Sequence, residues 1–563
     1  MGLCHVPCVI VFRADDERVN VDEALACLLR RLDRARDPDT LLALLIEFGE
    51  LESAVTDALL PVEDELEPAV AKLRAAALAL ARIWLQSTRD TSAPPAIHAA
   101  QCALADVAAL HLPRAARLVV PEGYAWYGLH PQAYAAAAER FATRPPGQVA
   151  CIGLRSIGSS LSAVVAAVLH ERGWKASTYT LRPRGHPFAR RPVLGPLLAG
   201  CWRAHHGPFL VVDEGPGLSG SSLCGVADAL NALGVADERI IFFPAWDAPA
   251  KRLRSPQARM RWPRQSKFVA DARVPAFLST ARELSAGAWR AGLFPTDEEV
   301  PAVQPQHERR KFLSNTPDGP RLYRFAGLAR HGAARLARGS ALAEAGFCSA
   351  PGGLREGYLD YAFIPGRPLR PADATRALLE TIAHYLAFLT RRFPLSRPAP
   401  HQLNASMLVQ NVGELLDPAL VERASVLARG AGAGDAPAVA LDGRMLPHEW
   451  LLTPWGYRKT DALDHHADHF FPGCNDIAWD LAAVLEEFAL SPEAGEALIG
   501  RYTALSGDHH VAVRLPFQRT AYLAYRLAYA TLAHQTLEGT ADGERFARLC
   551  RGYAARLRAA LAP

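Results

Sequence analysis

Phe209-Leu-Val-Val-Asp-Glu-Gly-Pro-Gly-Leu-Ser-Gly-Ser-Ser222 is the stretch on which the reading of the fold turns. Four consecutive apolar residues read as a buried strand, and two adjacent acids, Asp213 and Glu214, close it. A Gly/Ser loop then runs directly into a predicted helix over Leu223–Leu233. Acids in this position lie at the carboxyl edge of a sheet, where open α/β folds bind ligands. Free amides and serine hydroxyls at a helix N-terminus suit a phosphate monoester.

Upstream the same pattern occurs once more. Gln148-Val-Ala-Cys-Ile152 is a short apolar run, followed by the loop Gly153-Leu-Arg-Ser-Ile-Gly-Ser-Ser160 and a helix-like Leu161–Arg172. Lys175–Leu181 is rich in β-formers, and Arg239-Ile-Ile-Phe-Phe243 follows the second helix. Strands alternating with helices of this length predict βαβ units and a mostly parallel sheet. With these elements in place, the sequence resembles the type I phosphoribosyltransferases over roughly residues 115–250. The resemblance implies that Asp213 and Glu214 hold the ribose hydroxyls of PRPP, and that Gly217, Ser219, Gly220, Ser221 and Ser222 cradle its 5′-phosphate. It places Arg155, Ser156, Gly158 and Ser159 in the pyrophosphate loop, with Mg²⁺ bridging the pyrophosphate. The insert Leu181–Arg191 stands where the family has a catalytic lid, so Arg182, Arg184, His186, Arg190 and Arg191 would stabilise the leaving pyrophosphate. Two features depart from the family: the second acid is Glu rather than Asp, and the Gly-Pro-Gly loop is one residue longer. Trp246 and Asp247, at the end of the next strand, offer a stacking surface and an acceptor for a base, or a buried aromatic beside an exposed acid.

Residues 306–563 resemble, more loosely, the aminoglycoside-phosphotransferase branch of the protein-kinase-like fold. The motif that carries this is Asn475-Asp-Ile-Ala-Trp-Asp-Leu-Ala482, with Gly456-Tyr-Arg-Lys-Thr-Asp461 upstream and Phe363-Ile-Pro-Gly-Arg-Pro-Leu369 as the hinge. The resemblance implies Asp461 as a Mg²⁺ ligand, Asp442 as the catalytic-loop acid, His448 or Glu449 in place of the metal-binding Asn, and ATP as a further ligand. Several parts do not match. Only Arg321 and Arg324 stand where the third-strand lysine belongs, Lys311 is the one lysine of the small lobe, no Gly-x-Gly-x-x-Gly loop precedes it, and the helix acid would be Glu344. The run Asp461, Asp464, His465, His466, Asp468, His469 also has the residue types of a transition-metal site, without a remote partner segment.

At 563 residues the chain is long enough for three or four domains. The expected division is a helical unit (1–112), the α/β unit (113–255), a connector (256–305) and an α+β kinase-like unit (306–563). Sixty-two Lys and Arg against 58 Asp and Glu leave +4, without a basic block, so nucleic acid is not an expected partner. The most apolar runs, Leu73–Leu85 and Leu161–Leu169, are too short to span a membrane. Ten scattered cysteines read as reduced thiols of a cytoplasmic protein, with Cys4 and Cys8 a weak metal signal at best. The helical unit reads as a packing or dimerising bundle without chemistry of its own. The expected function is a PRPP-dependent phosphoribosyltransferase fused to a small-molecule phosphotransferase; the alternative is a non-catalytic sensor of PRPP or nucleotide with a degenerate kinase-like unit.

Overall fold

A computed structural model describes residues 9–12, 17–89, 97–271, 273–396, 401–430 and 436–562. The Cys4–Cys8 pair, Pro94-Pro95 and the interior of the Gly430–Ala436 loop lie outside them.

Two short antiparallel strands, β1 (Arg18–Asn20) and β2 (Ala115–Arg117), bracket four helices: α1 (Val21–Arg34), α2 (Pro38–Leu59), α3 (Pro68–Arg89) and α4 (His98–Ala108). The starts of α1 and α2 are chemically marked. Asn20 accepts from the amides of Asp22 and Glu23, and Asp37 accepts from Thr40 ahead of Pro38. Helix α2 is buried almost throughout Leu41–Thr56, because it packs on α3 on one side and on the helix Ile157–Glu171 of the sheet unit on another. Glu52 is buried there against Arg74, with oxygens 2.9 and 3.0 Å from its guanidinium.

The α/β unit begins with α5 (Pro131–Phe141) and continues as β3 (Gln148–Leu154), α6 (Ile157–Glu171), β4 (Lys175–Leu181), α7 (Pro196–Arg203), β5 (Phe209–Val212), α8 (Ser221–Ala232), β6 (Ile240–Phe243), α9 (Pro256–Arg261) and β7 (Ser266–Lys267). All five strands are parallel, in the order β4-β3-β5-β6-β7. Leu210, Val212, Ile241 and Phe243 face a core shared with α5, α6 and the helical unit, whereas Phe209, Val211, Ile240 and Phe242 face α7, α8 and α9. Burial on both faces explains why these strands read as unbroken apolar runs. The chain leaves β3 toward β4 on one side and returns to β5 on the other. The carboxyl ends of β3 and β5 therefore flank the crevice where such sheets bind ligands.

The stretch read as a connector is divided between two sheets, since β7 closes the parallel sheet and β8 (Arg282–Glu283) joins the next one. That second sheet is antiparallel, in the order β11-β12-β10-β9-β8, with β9 (Lys311–Thr316), β10 (Gly319–Phe325), α10 (Ala329–Glu344), β11 (Pro351–Arg355) and β12 (Tyr358–Ala362). A second lobe follows: β13 (Arg367–Pro368), α11 (Arg376–Arg392), α12 (His401–Leu415), α13 (Val421–Gly430), β14 (Trp450–Thr453), β15 (Gly456–Lys459), α14 (Ala478–Glu487), α15 (Pro492–Ser506), α16 (Val511–Thr536) and α17 (Ala541–Ala560). It has a core of its own around Trp479, Tyr522 and Tyr553. Among the described residues no helix is long and apolar enough to cross a membrane.

Candidate functional site

The crevice at the end of β5 holds Asp213 and Glu214, both half-buried. The Tyr134 hydroxyl donates to the Asp213 carbonyl at 2.7 Å, and Glu214 Oε2 accepts the Gly123 amide at 2.9 Å. A Cβ at position 123 would lie 2.7 Å from the end of Ile157 and 3.0 Å from Glu214 Oε2, so a side chain there would push on both. Burial pushes the Asp213 carboxyl up to about 6, against the pull of the Glu214 and Gly215 amides and of Arg190 and Arg182. Burial, with Glu122 and Asp213 close by, raises Glu214 well above the usual carboxylate range.

The loop beyond the acids is shaped for the start of α8. Gly217 and Gly220 have φ of 57° and 70°, and Ser219 Oγ accepts the Ser221 amide at 3.2 Å. Ser222 follows in the first turn of α8. Ser221 Oγ donates to the Pro187 carbonyl at 2.7 Å, which docks the Arg184–Arg191 insert on this loop. The insert is a hairpin, with Arg184 N–H on the Arg191 carbonyl (2.8 Å) and the reverse bond at 2.9 Å. A Cβ on Gly225 of α8 would meet the Arg190 carbonyl at 2.2 Å, so hairpin and helix are in direct contact.

The arginines expected around the leaving group fall into two sets. Arg190 and Arg191 are exposed, and their guanidiniums make no hydrogen bond or ion pair among the described residues. Arg155, Arg182 and Arg184, expected around the leaving group as well, are bonded to groups of the helical unit. Arg155 is 3% exposed and ion-paired with Asp57 (2.8 Å) and Asp64, both outside the sheet unit. Arg182 Nε lies 3.0 and 3.1 Å from the Asp57 carboxylate, and Arg184 donates to the Leu60 carbonyl at 2.7 Å. His186 is on the exposed end of the hairpin, accepting the Phe188 amide at 3.3 Å.

The first loop is also turned toward α2. Ser156, at φ 115°, donates its amide to Ser53 Oγ (3.2 Å), and the Ser159 hydroxyl lies 2.8 Å from that of Ser53. Gly158 packs on the Val212 carbonyl, which a Cβ would approach to 2.7 Å. Ser159 and Gly158 thus hold the strand-to-helix turn together instead of lining an open cradle. Trp246 is exposed, while Asp247 accepts the Trp262 indole N–H at 2.8 Å.

In the C-terminal unit the candidate acids meet cations of the chain itself. Arg324 on β10 lies 2.5 Å from Asp461 and 2.8 Å from Asp464; Lys311 lies 3.8 Å from Asp461. Arg309 and Arg335 reach Asp464 at 3.2 and 3.1 Å, so the inward-facing charge of α10 is a cation, while Glu344 is exposed at its end. Burial opposes ionisation of Asp461 and Asp464, but Arg324 and its neighbours outweigh it and hold both carboxyls well below their usual range.

Asp442 is 1% exposed, bonded by Tyr385 at 2.5 Å and ion-paired with Lys459 at 3.3 Å. Burial alone would raise its carboxyl; Lys459, His465 and Tyr385 bring it down to about 2. Lys459 also reaches Glu449 (3.1 Å), whose other oxygen is 3.0 Å from Arg444. Asp480 accepts the amides of Asp442 (2.7 Å) and Gly443 (2.9 Å) and so braces this loop; burial and the Asp442 charge push it up to about 7. Asp442, read as the catalytic acid, is spent on Lys459 and Tyr385.

Two triplets, Asp442/Glu449/His465 and Asp461/Asp464/His465, have potential ligand atoms within 4.8 Å of one another. Lys459 pairs with the first set and Arg324 with the second. Mg²⁺ takes free oxygens in an octahedral arrangement. Asp461 and Glu449, already neutralised by fixed cations, do not fit it. The acid and histidine run that invited a transition metal is likewise tied up: Asp468 pairs with Arg309 (2.6 Å), and His469 bonds the Tyr127 hydroxyl (2.7 Å) and stacks on Trp126 at 4.5 Å.

Asp57, Asp64, Ser53, Arg309 and Arg335 are absent from the sequence reading. No motif marks them: Ser53, Asp57 and Asp64 act on the sheet unit from the helical one, and Arg309 and Arg335 reach Asp464 from distant segments.

No protein-family model matches the chain, and no curated protein matches it. Among solved structures it is similar to a choline/ethanolamine kinase family protein from Mesorhizobium loti (16% identity over 45% of this chain and 85% of that one, TM-score 0.34). It is also similar to choline kinase LicA from Streptococcus pneumoniae (17%, 44% and 90%, TM-score 0.32) and macrolide 2′-phosphotransferase MphH from Brachybacterium faecium (18%, 49% and 98%, TM-score 0.31). In the C-terminal unit a three-strand meander, a helix and a returning hairpin form the small lobe, and a helical lobe carries the Asp480-braced loop.

Proposed function

We propose that the protein binds a phosphorylated ribose of the PRPP type in the crevice between β3 and β5, and that its kinase-like unit transfers no phosphate. The observation that carries this is the pairing of Asp213 and Glu214, at the carboxyl end of β5, with the glycine-serine loop that opens α8. Carboxylates there accept hydrogen bonds from the ribose hydroxyls, while the first amides of α8 and the unpartnered Arg190 and Arg191 meet the phosphates. The inert reading of the second unit is supported by Arg324 and Arg444. By the resemblance, Arg324 stands where the phosphate-pairing lysine belongs, and Arg444, five residues before Glu449, stands where the acid that accepts the substrate proton belongs.

Calorimetric titration with PRPP tests the site. Asp213→Asn should weaken binding at least about tenfold, equivalent to about 1.4 kcal/mol. Unchanged affinity in that variant would remove the proposal. A second reading, ribosyl transfer with pyrophosphate release, is favoured by the two neighbouring carboxyls, since Asp213, ionising near 6, can exchange a proton close to neutrality. Pyrophosphate release on adding any of a panel of bases would decide for it. Incorporation of labelled γ-phosphate from ATP into a small acceptor would overturn the inert reading of the kinase-like unit.

A further inference from the structure

Asp57, in the last turns of α2, bridges two guanidiniums. One oxygen is 2.8 Å from Arg155 Nε, and both lie 3.0–3.1 Å from Arg182 Nε. These arginines directly follow β3 and β4, neighbouring strands whose carboxyl ends share the edge that carries Asp213. The surroundings differ from those of a closed structural ion pair. The Asp57 side chain is 29% exposed, whereas Asp64, which also pairs with Arg155 and lies 3.5 Å from Arg184, is 1% exposed. Arg155 Nη1 is buried and has no hydrogen-bond partner among the described residues. A deeply buried guanidinium with an unspent donor, next to a carboxylate that water can reach, leaves a donor for a further acceptor.

Charge and backbone agree with this. Three guanidiniums, Arg155, Arg182 and Arg184, face two carboxylates, Asp57 and Asp64, and the free Arg190 and Arg191 lie on the same hairpin. Planar guanidiniums pair with carboxylate and phosphate in the same bidentate manner, and a diphosphate offers more oxygens and more charge than one carboxylate. Ser156, directly after Arg155, has a φ of 115° that a side-chain-bearing residue rarely adopts; Ser53 of the same helix α2 bonds its amide at 3.2 Å. One helix therefore supplies both the competing anion and the brace on the strained turn.

We propose that Asp57 is a built-in substitute for an anionic ligand: it holds Arg155 and Arg182 until a diphosphate group displaces it, so that the helical unit gates the arginine side of the crevice. The assignment of that diphosphate to a ribose-bearing ligand rests on the function proposed above; the gate itself does not. The test is calorimetric titration of the full chain with inorganic pyrophosphate at low salt. Asp57→Asn should bind it at least tenfold more tightly than wild type, and Asp57→Glu should stay within about twofold of wild type. Glu63→Gln, the same charge change at an exposed neighbouring acid, should leave affinity unaltered. Asp57→Ser, with a melting curve for each variant, separates a gate from a folding defect. An Asp57→Asn protein that melts like wild type and binds pyrophosphate no more tightly overturns the gate, as does an equal gain in Glu63→Gln. Tighter pyrophosphate binding in Asp57→Asn with no PRPP binding to any form would keep the gate and reject the ribose reading. Loss of PRPP binding in Asp213→Asn without any pyrophosphate gain in Asp57→Asn would do the reverse.

Discussion

Glu214 carries the proton question of the crevice. Its carboxyl is raised well above the usual range by burial and by two nearby acids, while in the unfolded chain it ionises near about 4.3. Between those two values the folded state holds a proton that the unfolded state has lost, so this residue lowers stability progressively as pH rises through the window. Glu214→Gln keeps the oxygen that accepts the Gly123 amide and removes the charge. Thermal melts should show the variant about 2–4 °C more stable than wild type near pH 7.5, and indistinguishable near pH 4.5, where the folded wild-type carboxyl is already protonated. A variant less stable at both pH values would mean that Glu214 is ionised and paired in the folded protein. Residues of this kind are the ones a sequence displays best, because Asp213 and Glu214 end an apolar strand. Asp57 shows the limit: on a predicted helix it is one charge among many, and only the approach of β3 and β4 gives it two arginines.

Among the elements, legibility follows burial. Strands β3, β5 and β6 are built of apolar residues buried by helices on both sides and could be read to within two residues, as could α8. The pair β1–β2 was missed because Arg18–Asn20 and Ala115–Arg117 have neither alternation nor β-rich composition, and β7 has only two residues. Helix α2 misleads in another way. Glu50, Glu52 and Ser53 are polar, yet all three are buried where α3, α6 and α10 meet the helix. Glu52 survives there because Arg74 pairs with it and also donates to the Ser159 carbonyl (2.9 Å) and Ser162 Oγ (3.1 Å). Glu52→Gln leaves Arg74 buried without a counter-charge and should cost about 3–5 kcal/mol, seen as a fall in denaturant midpoint. The double change Glu52→Leu, Arg74→Met should recover most of that loss. If the double variant were as unstable as the single one, the pair's hydrogen bonds to α6, and not its charge, would be what holds α2 in place.

Across the whole molecule, the boundaries drawn from composition and the division of the hydrophobic core do not coincide. Phe312, Phe325, Leu328 and Tyr358 of the small lobe belong to the core that runs through the helical unit and the parallel sheet, while the helical lobe is built around a separate core. A fragment cut at residue 306 exposes those side chains, and light scattering should show it aggregating at concentrations where the full chain stays clear. A clear, cooperatively folding fragment would show that the small lobe does not depend on the sheet. The π-helical turn Gly123–Tyr127 acquires a mechanical meaning from this division. Gly123 bonds Glu214 within the larger body, and four residues on Tyr127 bonds His469 of the other lobe, so one short turn pins the floor of the crevice at β5 and the helical lobe to the same five residues.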